Sequence, residues 1–272
     1  MALSPNLRGA LFMAIAMAGF TINDTFVKVA SPDVGFAQIM FVRGVMTTAL
    51  IFLLCWKTGA LRPPKMLFHK AVFGRAVFEM LGTVTFLSGL AHMPIGNASA
   101  ILQALPLAVT MGAAMFLGEP VGWRRWMAII AGFAGVLIIV RPGAEGFNVW
   151  ALMILACVFF CAARDLITKT TPPEIPSTFM SLGTAGFIAV SGLLLMPVSG
   201  GWQPLSAETF SLLAAASFFL LFGYLFAITS MRTGEVGFIA PFRYTSLLWA
   251  IGLGFLVFGD VPDVWMIIGS MI

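Results

Sequence analysis

The sequence of 272 residues is 60% apolar and only 10% charged, against roughly 25% charged in an average soluble domain. It cannot cover itself with a water-facing surface, and at about 20 residues per membrane-crossing helix it has room for about ten spans with short loops and none for a separate soluble domain. The formal net charge of +4, from 15 Lys and Arg against 11 Asp and Glu, is spread over inter-helical loops instead of one patch, which excludes a nucleic-acid partner and points to membrane orientation.

Breaks at Pro/Gly clusters and charge groups delimit apolar spans at Leu7 to Val29, Phe36 to Trp56, Ala71 to Ala91, Ile95 to Leu117 and Trp126 to Val140. A second set runs over Phe147 to Thr168, Thr178 to Val198, Phe210 to Met231, Val236 to Phe258 and a last span beginning near Val264. None alternates like a strand, and inside a bilayer such segments satisfy their backbone polar groups only as helices. The expected fold is therefore an all-α polytopic membrane protein of ten transmembrane helices. Arg8 and the apolar run after it imitate a secretory signal peptide, but this segment has an internal counterpart and is read as the first span.

The two sets of five are copies. An offset of 141 places Asp24 on Asp165, Lys28 on Lys169, Gly82 on Gly223, Gly96 on Gly237, Gly118 on Gly259 and Glu119 on Asp260 without a gap. This divides the chain into a first repeat, 1–141, and a second, 142–272. Five is odd, so the second copy enters the membrane from the opposite side and the repeats are inverted, a recurrent build of secondary transporters. The same offset expects the tenth helix to run about ten residues past Ile272, which makes the tenth helix incomplete and the chain a fragment. Nine basic residues (Arg8, Lys57, Arg62, Lys65, Lys70, Arg124, Arg125, Lys169, Arg232) fall on one side and two (Lys28, Arg141) on the other. By the positive-inside rule both ends of the complete protein are cytoplasmic, in a cell inner membrane.

Ionisable groups inside spans are costly and mark function. Asp24, Glu79 and Asp165 give three negative charges and Arg43, Arg75, Arg164 and Arg243 four positive, a surplus of one that is compatible with an anionic ligand group. Simple pairing also accounts for several of them. Arg75 and Glu79 stand at i, i+4 on one helix face, and Asp24 and Arg43 lie at similar depth on adjacent spans. Arg164 and Lys169, near the inner end of their span, are expected to snorkel toward water. The fourth helix of each repeat carries a proline, Pro106 or Pro241, among polar residues: Asn97, Ser99 and Gln103 in one, Arg243, Tyr244, Thr245 and Ser246 in the other. Proline frees a backbone carbonyl, the pattern of interrupted helices around a midplane site. Candidate substrate contacts are Gln103, Arg243, Tyr244, Trp249 and Asn97. Candidate coupling or gating residues are Asp24, Arg43, Glu79 and Asp165, with the proton as coupling ion. Cys55, Cys157 and Cys161 are read as packing residues. The histidines are not at metal-ligand spacing, and no cofactor or nucleophile motif is present; no metal, cofactor or enzymatic activity is expected.

Asn23-Asp24 with Lys28, Phe116-Leu-Gly-Glu119 followed by Trp123-Arg-Arg-Trp126, and Gly132-Phe-Ala-Gly135-Val resemble the EamA family of the drug/metabolite transporter superfamily over essentially the whole chain. Arg164-Asp165 with Lys169 and Ala240-Pro-Phe-Arg243-Tyr244 resemble most the branch containing S-adenosylmethionine and riboflavin uptake transporters. The resemblance implies ten helices, a central cavity between repeats and alternating access without ATP. The expected function is transport of a small organic metabolite, such as a heterocyclic cofactor or vitamin. Alternatives are an exporter of amino acids or toxic metabolites and, from another class, a non-transporting membrane assembly or sensor subunit.

Overall fold

The computed structural model describes residues 4–118, 121–140 and 149–261; Glu119, Arg141 and the expected tenth span lie outside them. The described residues form helices joined by short connections, with no strand among them. In chain order they are α1 (Pro5–Ala30), α2 (Phe36–Lys57), α3 (Lys70–Leu90), α4 (Ile95–Phe116), α5 (Trp123–Val140), α6 (Val149–Lys169), α7 (Ser177–Leu195), α8 (Ala207–Thr233) and α9 (Gly237–Phe258). Eight of these are long and apolar enough to cross a bilayer, and α5 contains a shorter apolar stretch, Trp126–Ile138. The protein is thus a multi-pass membrane protein, and the nine expected spans that fall on described residues each have a helix.

Local chemistry starts and interrupts these helices where the sequence marks them. Ser4 accepts a hydrogen bond from Leu7 N at 3.3 Å with Pro5 in the first turn of α1, and Ser206 accepts from Thr209 N at 3.0 Å at the start of α8. The expected fourth span is two pieces, Ile95–Leu102 and Ala104–Phe116, which meet at Gln103. Pro106 has no N–H for the Leu102 carbonyl, and Gln103 N tightens back onto Ala100 O at 3.2 Å. In α9 Pro241 sits in a 3₁₀ turn, Ala240–Tyr244, followed by a regular stretch, Thr245–Leu253, and a π turn, Gly254–Phe258.

Packing runs between early and late helices: α1 lies along α8, α2 along α7 and α3 along α6. The α2–α7 contact is backbone-close. A Cβ on Gly192 would stand 2.5 Å from Phe41 N and 2.7 Å from Ala37 O, so only glycine lets the helices approach this far. Positive φ occurs at Gly59 (65°) and Gly200 (94°), and again at Gly118 (67°) and Gly259 (69°). Each pair is separated by the 141-residue offset found in the sequence. Serine and threonine hydroxyls inside the helices mostly bond the carbonyl one turn back, as Thr21 does to Met17 O and Ser217 to Leu213 O. The outer surface is apolar, with Phe52, Leu53, Phe159, Leu194, Phe218 and Leu248 exposed, as lipid contact demands.

Candidate functional site

A cavity of about 140 Å³ lies between the helices. Its wall takes Phe20, Asn23 and Asp24 from α1, Arg43 from α2, Glu79, Gly82 and Phe86 from α3, Ser99 and Gln103 from α4, Cys157, Cys161 and Arg164 from α6, Leu220 and Tyr224 from α8, and Arg243 and Ser246 from α9. Both halves of the chain therefore build it. The two interrupted helices meet beside it, where Gln103 Nε2 donates to Ser246 Oγ at 3.4 Å.

One side of the cavity carries a chain of charges. Arg243 Nη2 donates to Asp165 Oδ2 at 2.5 Å, Arg164 Nε to Asp165 Oδ1 at 2.9 Å, and Arg164 Nη1 to Glu79 Oε2 at 2.9 Å. Arg75 stands farther from Glu79, Nη2 to Oε2 3.8 Å, and is held by two hydroxyls, Thr168 Oγ1 at 2.9 Å and Thr184 Oγ1 at 2.5 Å. All five charged residues are buried. Three guanidiniums face two carboxylates, so the surplus positive charge of the spans belongs to this chain. Arg164 is a correction: it does not snorkel but ties α6 to α3. Its place near the helix end was legible in the sequence; which helix it faced was not. The Arg75–Glu79 pair is likewise secondary to the shorter Arg164–Glu79 contact.

The second polar group joins α1 and α2. Arg43 Nη1 donates to Asn23 Oδ1 at 3.1 Å, and Asn23 Nδ2 donates to Asp24 Oδ1 at 2.8 Å. Asp24 and Arg43 do not pair directly, because the Asn23 amide stands between them. The Nε atoms of Arg43 and Arg243 are buried without a hydrogen-bond partner among the described residues.

Of the residues expected to contact substrate, Gln103 and Arg243 line the cavity. Asn97 is half-buried off the cavity wall, while Tyr244 and Trp249 are 39% and 47% exposed on the outer surface of α9. Successive residues point about 100–120° apart on these helices; α9 turns Arg243 into the cavity, which leaves Tyr244 on its exposed side. All four expected coupling residues are buried or partly buried at the site: Asp24, Arg43 and Glu79 line it, and Asp165 is held between Arg164 and Arg243. The sequence reading missed Tyr224, 3% exposed and set edge-on to Phe20 at 6.0 Å. Cys157 and Cys161, expected only to pack, line the cavity with their sulfurs 3.7 Å apart. At the end of α1, Lys28 Nζ donates to Leu90 O at 3.2 Å and Met93 O at 2.6 Å, tying the last residue of α3 to the turn that follows it.

The profile of the EamA-like transporter family matches residues 7–141 and 148–272. The chain belongs to this family. A riboflavin transporter of Vibrio cholerae is 29% identical over 98% of this chain and 90% of its own. A pseudopaline exporter of Pseudomonas aeruginosa is 26% identical over 97% and 92%, and an S-adenosylmethionine uptake transporter of Rickettsia prowazekii 23% identical over 100% and 91%. A solved crystal structure covers 99% of this chain and 95% of its own with a TM-score of 0.70 at 18% identity, a likeness of fold. The family and these relatives make the protein a transporter of the drug/metabolite type, with a small-molecule substrate and the lipid bilayer as its surroundings, and not an enzyme.

Proposed function

We propose that the protein is a secondary transporter that carries a small organic metabolite across the inner membrane by alternating access, without ATP, between two inverted five-helix repeats, 1–141 and 142–272. The observation that carries this reading is the cavity itself, walled by both halves and flanked by the interrupted helices α4 and α9. The repeat is supported by the two pairs of positive-φ glycines at one offset. It is supported too by the helix pairing: exchanging α1 with α6, α2 with α7 and α3 with α8 maps α1–α8 onto α6–α3 and α2–α7 onto itself. Ten helices, with both ends of the complete protein cytoplasmic, follow from the repeat and the distribution of Lys and Arg.

The substrate reading is a flat heterocycle bearing a polar part. Phe20, Phe86 and Tyr224 offer ring faces and Gln103, Asn23 and Arg243 offer polar contacts, and relatives carry riboflavin and S-adenosylmethionine by name. At about 140 Å³ the cavity is narrower than the ~300–1,000 Å³ usual for a small-molecule pocket, so admitting a substrate requires its walls to part, as alternating access does. Export is the second reading, favoured by the pseudopaline exporter. The test is a thermal-unfolding screen of the purified protein against riboflavin, S-adenosylmethionine, nucleotides and aromatic amino acids. A ligand at 100 times its Kd stabilises by about 2.7 kcal/mol. A selective shift with one heterocycle, lost in Gln103→Ala, is expected; no shift in a folded sample overturns the heterocycle reading and moves export to the front.

A further inference from the structure

Among the described residues the spans hold two carboxylates on the cavity wall, Asp24 and Glu79, and a third beside it, Asp165, and their surroundings differ in kind. Glu79 and Asp165 each accept from a guanidinium at 2.9 Å or less, so neutralising either would strand a buried cation. Among the described residues Asp24 has no guanidinium within ion-pair distance. Its hydrogen-bond partner is the neutral Asn23 amide at 2.8 Å. The other ionisable groups of the cavity wall are Arg43 on α2, Tyr224 on α8 and Arg243 on α9, with Glu79 of α3 and Cys157, Cys161 and Arg164 of α6; the described part of α4 brings none. Arg164 and Arg243 are engaged with Glu79 and Asp165. Among the described residues the Arg43 guanidinium is held through the Asn23 side-chain carbonyl, and its buried Nε has no hydrogen-bond partner.

We propose that Asp24 is the proton-binding residue of the transport cycle and that its proton travels together with an anionic group of the substrate held at Arg43. This rests on the transporter reading above. Asn23 makes the link: its carbonyl faces Arg43 while its amide N–H faces Asp24. With Asp24 ionised, the Asn23–Asp24–Arg43 group is neutral and offers an anion little. A proton from water converts the carboxylate to a carboxylic acid, the group gains one positive charge beside the free Nε of Arg43, and a carboxylate or phosphate of the substrate restores neutrality. Linkage makes this reciprocal, so the bound anion and the proton stabilise each other, and with both bound the charges of Arg43, Asp24 and the substrate's anionic group cancel locally.

Two measurements test it. Infrared titration of the purified protein in lipid, from mildly acidic to mildly alkaline pH, reads protonated carboxyl groups without any substrate. A carboxyl band lost in Asp24→Asn, displaced in Asp24→Glu and kept in Glu79→Gln is expected; a band that persists in Asp24→Asn overturns the proposal. Proteoliposomes with the membrane potential clamped at zero then read coupling, using S-adenosylmethionine, which bears a carboxylate, and riboflavin, which bears no anionic group. At one proton per substrate, a gradient of one pH unit supports about tenfold accumulation. Tenfold accumulation of S-adenosylmethionine that falls to onefold in Asp24→Asn, with the thermal midpoint of the variant close to the native one, is expected. Exchange that ignores the gradient in the native protein, or riboflavin accumulating as strongly, overturns the coupling at Arg43. If neither compound exchanges, the heterocycle reading fails, and the infrared titration decides Asp24 on its own.

Discussion

The charges of Arg75, Glu79, Arg164, Asp165 and Arg243 join α3, α6 and α9 by direct contacts, three of them at 2.9 Å or less, whereas Asp24 and Arg43 face each other across a neutral amide. Both groups are drawn from helices that a bilayer would otherwise keep apolar. The difference lies in what each tolerates. In the first, every carboxylate already has its cation and every change of charge strands a partner in low dielectric. The second sets a charge of each sign at the ends of an amide that can serve either, so its net charge can change by one while its hydrogen bonds persist. The proposed proton carrier, Asp24, thus lies in a group separate from the charges that hold α3, α6 and α9 together.

The sharpest way to break the contrast is Arg164→Met. It removes the shared cation of Glu79 and Asp165, and losing one partner of a buried pair costs about 3–5 kcal/mol; thermal unfolding of the purified variant is expected to drop sharply, and an unchanged midpoint would show that the chain of charges is not structural. Asn23→Leu keeps the branched shape but leaves Arg43 and Asp24 facing an apolar group, an expected loss of about 1–3 kcal/mol in the same assay. Lys28→Met uncaps the turn after α3 at a half-buried site, with an expected loss of about 1 kcal/mol, read as faster amide hydrogen exchange at residues 91–94. The smallest effect is expected from Asp24→Asn, less than about 1 kcal/mol, since its hydrogen-bond partner among the described residues is an amide that an amide can also meet. A midpoint shift for Asp24→Asn as large as that for Arg164→Met would erase the distinction between the two groups.

How far the site was legible in the sequence depends on which coordinate of a residue is asked for. Depth along a helix was legible: Asp24, Arg43, Glu79 and Asp165 stood out because a charge inside an apolar run is costly and needs a partner or a task. The interruptions of α4 and α9 were legible as well, since proline removes a donor wherever it falls. Rotation about the axis was not. Tyr244 and Trp249 share α9 with Arg243 yet are exposed on its outer surface, and Asn97, six residues and so about two-thirds of a turn past a whole one from Gln103, does not join it on the wall. Tyr224 was hidden in a span where Phe218, Phe219, Phe222 and Phe226 surround it in sequence, and a single hydroxyl among rings gives no periodic signal.

The sequence by itself determined that the chain is helical and membrane-embedded, where the described spans begin and end, where two of them break, and that its halves share one offset. These follow from local rules: a bilayer permits only internally bonded backbone, and about 20 apolar residues cross it. The tertiary structure decided who pairs with whom. Arg164 answers Glu79 from 85 residues away, and Arg243 answers Asp165 from 78, because α3, α6 and α9 converge on one cavity. Pairing in a low-dielectric interior is decided by distances of a few ångströms between helices far apart in the chain, and no local pattern of residues encodes those distances.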